Sequence, residues 1–232
     1  MFMLFDPLYL IMVMPAVLLG LYAQFKVQSA YKKYLRVGNA SRLTGLDAAR
    51  QLLGSAGLSH VSIEGVPGQL SDNYDPQSKT LRLSDGVARS ASVASMAIVA
   101  HEVGHAIQDN QGYAPLRLRG FIVPGVKVGS ALGPILFFVG LFFQIEPLAW
   151  LGLILFSSMA IFALATLPTE LNASSRAMAL LTSSGMIVGR EEEKGARAVL
   201  NAAALTYIAF VAQILLQLLY YVLLLTGGRR RD

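Results

Sequence analysis

His101, Glu102 and His105 stand in the run His-Glu-Val-Gly-His, and here the chain concentrates groups able to do chemistry. In a helix, residues four apart share a face, so His101 and His105 can present two imidazoles to one metal ion. Glu102 sits at the edge of that face. Its carboxylate can reach a metal-bound water without ligating the metal, which is the physical logic of His-Glu-x-x-His in zinc peptidases. Catalytic zinc takes three protein ligands and one open position, lowers the pKa of its water to roughly 7 and polarises the scissile carbonyl. The chain has no cysteine and only three histidines, His60, His101 and His105. A disulfide framework and a cysteine zinc site are therefore excluded, and a single zinc ion must rest on His and carboxylates. Two satisfied core histidines would explain neither Glu102 nor the ligand spacing.

The third ligand must come from elsewhere. His60 is one candidate, in a strand-like segment ahead of the motif. The other is Glu170, in Leu167-Pro168-Thr169-Glu170-Leu171-Asn172-Ala173-Ser174-Ser175-Arg176-Ala177, which reads as the opening of a helix. An acid in a first turn is also explained by the helix dipole alone.

These residues need elements to hold them. From Ser90 or Ser92 to about Gln108 the sequence is helical and rich in Ala, Val, Met and Ile, so the motif helix is expected to be buried on most sides. Upstream, Thr44 with Asp47 three residues on reads as a helix start, and Leu46, Ala49, Leu52, Leu53 and Ala56 mark its apolar face. Gly57 is the expected stop. Val61 and Ile63 alternate with polar neighbours as a short strand does. Gln69 to Tyr74 and Lys79 to Ser84 flank the turn-rich Asp75-Pro76-Gln77-Ser78, predicting a strand pair.

Hydrophobic residues make up 54% of the 232 residues and charged ones only 14%, well under the roughly 25% of a soluble domain. Apolar runs at 2–25, 121–143, 148–167 and 202–225 predict about four transmembrane helices in a mainly α membrane protein. The first run lacks the basic start and small-residue cleavage site of a signal peptide and reads as a retained anchor. Polar segments fill 26–120 and 168–201, the latter carrying the Glu170 helix, and 226–232 is a basic tail. With four spans, parity places both polar segments at one membrane face, where residues 101 and 170 can meet. Lys26, Lys32, Lys33 and Arg36 after the first run, and Arg117 and Arg119 before the second, put that face in the cytoplasm; Arg229, Arg230 and Arg231 argue the opposite way. The net charge of +5 forms no basic stripe interleaved with aromatics, which excludes a nucleic-acid partner.

The run His101 to Gln108, then Gly112-Tyr113-Ala114-Pro115-Leu116, then Thr166 to Glu170 with Asn172-Ala173-Ser174, resembles the YugP-type membrane zinc metallopeptidases, as do Tyr74-Asp75-Pro76 and Ala202 to Tyr207. The resemblance covers nearly the whole chain in order. It is similar, more distantly, to the HtpX-type and CAAX-processing peptidases, whose later Glu-x-x-Ala helix completes the zinc site. The resemblance thus implies a small α/β zincin-like catalytic region, bacterial membrane location, and Glu170 as third ligand. This chain departs from the pattern at Asn73, where a His is frequent, and at Ser175, where an Arg is common.

The expected activity is hydrolysis of peptide bonds in membrane or membrane-proximal proteins, with Glu102 as general base and then acid. Tyr113, Asn172 and Arg176 are candidates to steady the oxyanion or to orient a ligand. The alternative is a non-catalytic membrane scaffold retaining a structural metal site, which would have no need of Glu102. A regulatory membrane partner or a homo-oligomer is left open.

Overall fold

Thr44 shows how locally much of this chain is determined. Its Oγ1 accepts from the Asp47 N–H at 3.2 Å and donates to the Asp47 carboxylate at 2.6 Å, and helix α3 (Gly45–Ser55) starts there as the capping pattern predicts. Gly57, with φ +71°, turns the chain out of it. The computed structural model describes residues 6–227. The elements in order are α1 (Pro7–Met12), α2 (Met14–Leu35), α3, β1 (Ser62–Val66), β2 (Asn73–Asp75), β3 (Thr80–Ser84), α4 (Asp85–Ala88), α5 (Val93–Asn110), α6 (Ala114–Phe142), α7 (Glu146–Ser183) and α8 (Gly189–Gly227).

The residues group into two compact units. One takes Gln24–Ala114 and Thr169–Leu205. Its sheet has the order β1-β3-β2, β3 pairing in parallel with β1 and antiparallel with β2. The expected hairpin is present but its first strand is shorter than 69–74. Gly68 at φ +103° and Leu70 at φ +55° break the extended path. Asp72 then turns to accept the Ser84 N–H at 2.7 Å, so pairing starts only at Asn73. Central β3 buries Leu81 and Leu83, which pack with Leu52, Leu53, Met96, Val99 and Val103 in one core. Ser92 caps α5, accepting from the Ser95 N–H at 3.2 Å, and α5 is buried along most of its length as its composition predicts.

The other unit takes the described parts of Met1–Ala23, Pro115–Pro168 and Thr206–Asp232. Glycines let its helices touch backbone to backbone. A Cβ at Gly140 would lie 2.3 Å from the Ala149 nitrogen, and one at Gly152 2.3 Å from the Phe137 nitrogen. Phe137, Phe156, Tyr220 and Tyr221 fill the core beside them.

Among the described residues, three helices are long and apolar enough to cross a membrane: α6, α7 and α8. The expected first span is not among them. Its apolar run divides at Val13 between α1 and α2, and α2 continues past Phe25 into Lys26, Lys32 and Lys33. Residues 2–5 of that run, and all but the first two residues of the basic tail, lie outside the described residues. The segment 168–201 also differs from its sequence reading. Glu170 does not open a helix of its own; α7 runs unbroken through Pro168. An interior proline costs a helix about 3 kcal/mol; Ala163 and Ala165 before it and Ala173 and Ala177 after it are buried.

Candidate metal centre

α5 supplies two imidazoles and α7 one carboxylate. His101 Nε2 lies 3.1 Å and His105 Nε2 3.4 Å from the same Glu170 oxygen, Oε2. The three ligand atoms fall within 4.8 Å of one another. Four donors about 2.1 Å from a zinc ion at tetrahedral angles stand about 3.4 Å apart, so the two contacts have the separations that ion requires. The donor chemistry also fits: two neutral nitrogens and one carboxylate, with no sulfur. His60 is exposed in the turn before β1 and does not join them.

The helices reach this spacing through Gly104. A Cβ there would stand 2.9 Å from the Ala173 carbonyl oxygen, so the glycine inside the motif lets α7 lie directly on α5. The two imidazoles meet edge to face, their centroids 4.8 Å apart. Each Nδ1 has its own partner. His101 Nδ1 is 3.2 Å from Ser174 Oγ, and His105 Nδ1 is 3.0 Å from Gln108 Oε1. Both rings therefore turn Nε2 toward Glu170.

Gln108 is fully buried. Its Nε2 donates to the Thr169 carbonyl at 2.8 Å and to Asn172 Oδ1 at 2.9 Å, and Arg176 Nε donates to that same Oδ1 at 2.7 Å. Two of the residues singled out in the sequence, Asn172 and Arg176, thus stand behind the candidate ligands. Tyr113 is held by its backbone N–H on the Gln108 carbonyl, and its side chain takes no part in these bonds. Sequence reasoning did not assign Gln108 a role, although its position three residues after His105 and seven after His101 places it on the ligand face.

Glu102 is buried beside the ligands and accepts the Tyr74 backbone N–H on Oε2 at 2.9 Å. Burial pushes its carboxyl above the ordinary range, against the pull of His101 and His105. His105 is shifted upward as well: burial opposes its charge, but the hydrogen bond to Glu170 and the carboxylates of Glu102 and Glu170 outweigh it. The strand holding Glu102 is itself anchored to α5. Tyr74 Oη donates to Asp109 at 2.7 Å, and Lys79 Nζ reaches the same oxygen at 2.6 Å. A groove of about 640 Å³ runs between α7 and the start of α8, lined among others by Ser174, Met178, Thr182, Leu200 and Asn201. Ser174 is common to the groove and to the bond on His101.

Comparison with known proteins agrees with this chemistry. Residues 9–226 match the family model described as "Putative neutral zinc metallopeptidase". Over 222 residues, 96% of this chain and 98% of the relative, the chain is 42% identical to a Bacillus subtilis (strain 168) protein named "Putative membrane protease YugP". No solved structure matches. With a match across nearly its whole length, the chain belongs to the neutral zinc metallopeptidase family.

Proposed function

We propose that this chain is a membrane-anchored zinc endopeptidase that hydrolyses peptide bonds of membrane or membrane-proximal proteins. His101, His105 and Glu170 would hold one zinc ion. The observation that carries the reading is their convergence, through two Nε2 atoms and one carboxylate oxygen, beside a buried Glu102 that ligates nothing. Zinc at such a centre supplies Lewis acidity toward a carbonyl and a water acidified to a pKa near 7.

The remaining work falls to the chain's own groups. Glu102 takes the proton from the attacking water and passes it to the departing amine nitrogen. Burial suits this task, because a carboxyl raised above its usual range gives up its proton less readily in between. The Tyr74 N–H holds one Glu102 oxygen, Oε2, so that the carboxylate is positioned by the strand. α6, α7 and α8 support the membrane location, and the groove lined by Ser174 lies beside the residue bonded to His101.

The test is Glu102→Gln in purified protein in detergent, with a mixed membrane-protein substrate and mass spectrometry of products. A positioned acid–base group contributes about 10²–10⁴-fold, so cleavage should fall by that much while one equivalent of zinc is retained. Equal cleavage by both proteins would remove Glu102 from the reaction. Zinc binding with no cleavage by the wild type of any substrate offered would favour a non-catalytic scaffold.

A further inference from the structure

The hydrogen bonds behind His105 form a chain whose polarity is fixed from one end. Arg176 carries only donors, so the Asn172 atom 2.7 Å from its Nε must be the carbonyl oxygen. That oxygen and the Thr169 carbonyl are both acceptors, so the Gln108 group facing them at 2.9 and 2.8 Å must be its NH₂. Both its protons are then committed. What Gln108 turns to His105 is therefore its oxygen, 3.0 Å from Nδ1. An oxygen at that distance demands a proton on Nδ1, which leaves the lone pair on Nε2, the nitrogen facing Glu170.

We propose that Gln108 is a positioning residue that locks His105 in the Nδ1–H tautomer, with Arg176 and Asn172 setting its polarity, so that Nε2 is the metal-binding atom. A buried glutamine joining α5 to α7 could serve packing alone, but packing does not require this donor order. Every link is satisfied in one direction only, and reversing the Gln108 amide would set its oxygen against two other acceptors. The inference rests on the metal-site reading and not on proteolysis. It holds or fails even if the protein cleaves nothing.

The experiment uses full-length protein in detergent, labelled with ¹⁵N-histidine and loaded with zinc. Three histidines make the spectrum assignable. In the wild type, His105 should show a hydrogen-bonded Nδ1–H that exchanges slowly with water, and ligation through Nε2. Gln108→Met should lose that resonance and bind zinc about 10–100-fold more weakly, the usual cost of removing an outer partner. Gln108→Glu keeps an acceptor on Nδ1 but aims a carboxylate at two other acceptors. It should therefore restore the resonance and zinc affinity while lowering thermal stability. If zinc affinity instead followed stability across the three proteins, Gln108 would be structural only. The wild-type spectrum is decisive without any variant: zinc on His105 Nδ1, or a freely exchanging Nδ1–H, overturns the proposal.

Discussion

At the scale of single residues, the centre divides into groups that the sequence displays and groups that only the fold supplies. His101, Glu102 and His105 are legible because a helix fixes their mutual placement within one turn. Glu170 is a different case. Its side chain is nearly inaccessible and touches both imidazoles, yet sixty-nine residues separate it from His101, and the residues alone favoured a ligand only slightly over a first-turn acid. Glu170→Ala should cost more zinc affinity than the ~10–100-fold of an outer-partner loss, while His60→Ala should cost none, by competition with a chelating dye. Retention of one tight equivalent in Glu170→Ala would remove it from the ligand set. The Tyr74 N–H on Glu102 could not be read at all, since a backbone group carries no sequence mark.

At the scale of elements, the informative residue is a glycine. Helix starts at Thr44 and Ser92 and the alternation in β1 and β3 follow from local rules, and the structure keeps them. Packing between elements is not local, and there the sequence misled. Pro168 reads as a break, but α7 runs through it between buried alanines on either side. Gly104 stands at a motif position to which the sequence assigned no role, yet α7 rests on it. Gly104→Ala should destabilise by about 1–3 kcal/mol, the range for overpacking, and weaken zinc binding by forcing Glu170 back from the histidines. Gly54→Ala in α3 meets nothing within 4 Å and is the matched control. It should stabilise by roughly 0.5–1 kcal/mol and leave zinc binding alone. Thermal unfolding and metal titration of both separate the two effects.

At the scale of the molecule, composition announced a bilayer protein, and among the described residues three helices have the required length and apolarity. The first expected span rests on its apolar run and the cytoplasmic placement of the centre on charge and parity, and the absence of cysteine makes the placement directly testable. Gln77→Cys, in the turn between β2 and β3, should resist a membrane-impermeant maleimide in intact cells and react after permeabilisation. Gln144→Cys, between α6 and α7, should react in both. The opposite pattern would place the centre outside. The same lack of cysteine gives the centre another meaning. A cation bound by His101 and Glu170 would close a loop of sixty-nine residues. In chain-entropy terms a permanent cross-link over that span removes about 4 kcal/mol of disorder from the unfolded chain. Where other proteins knot their chains with disulfides, the proposed zinc would tie a knot that a chelator can undo, at the proposed catalytic centre.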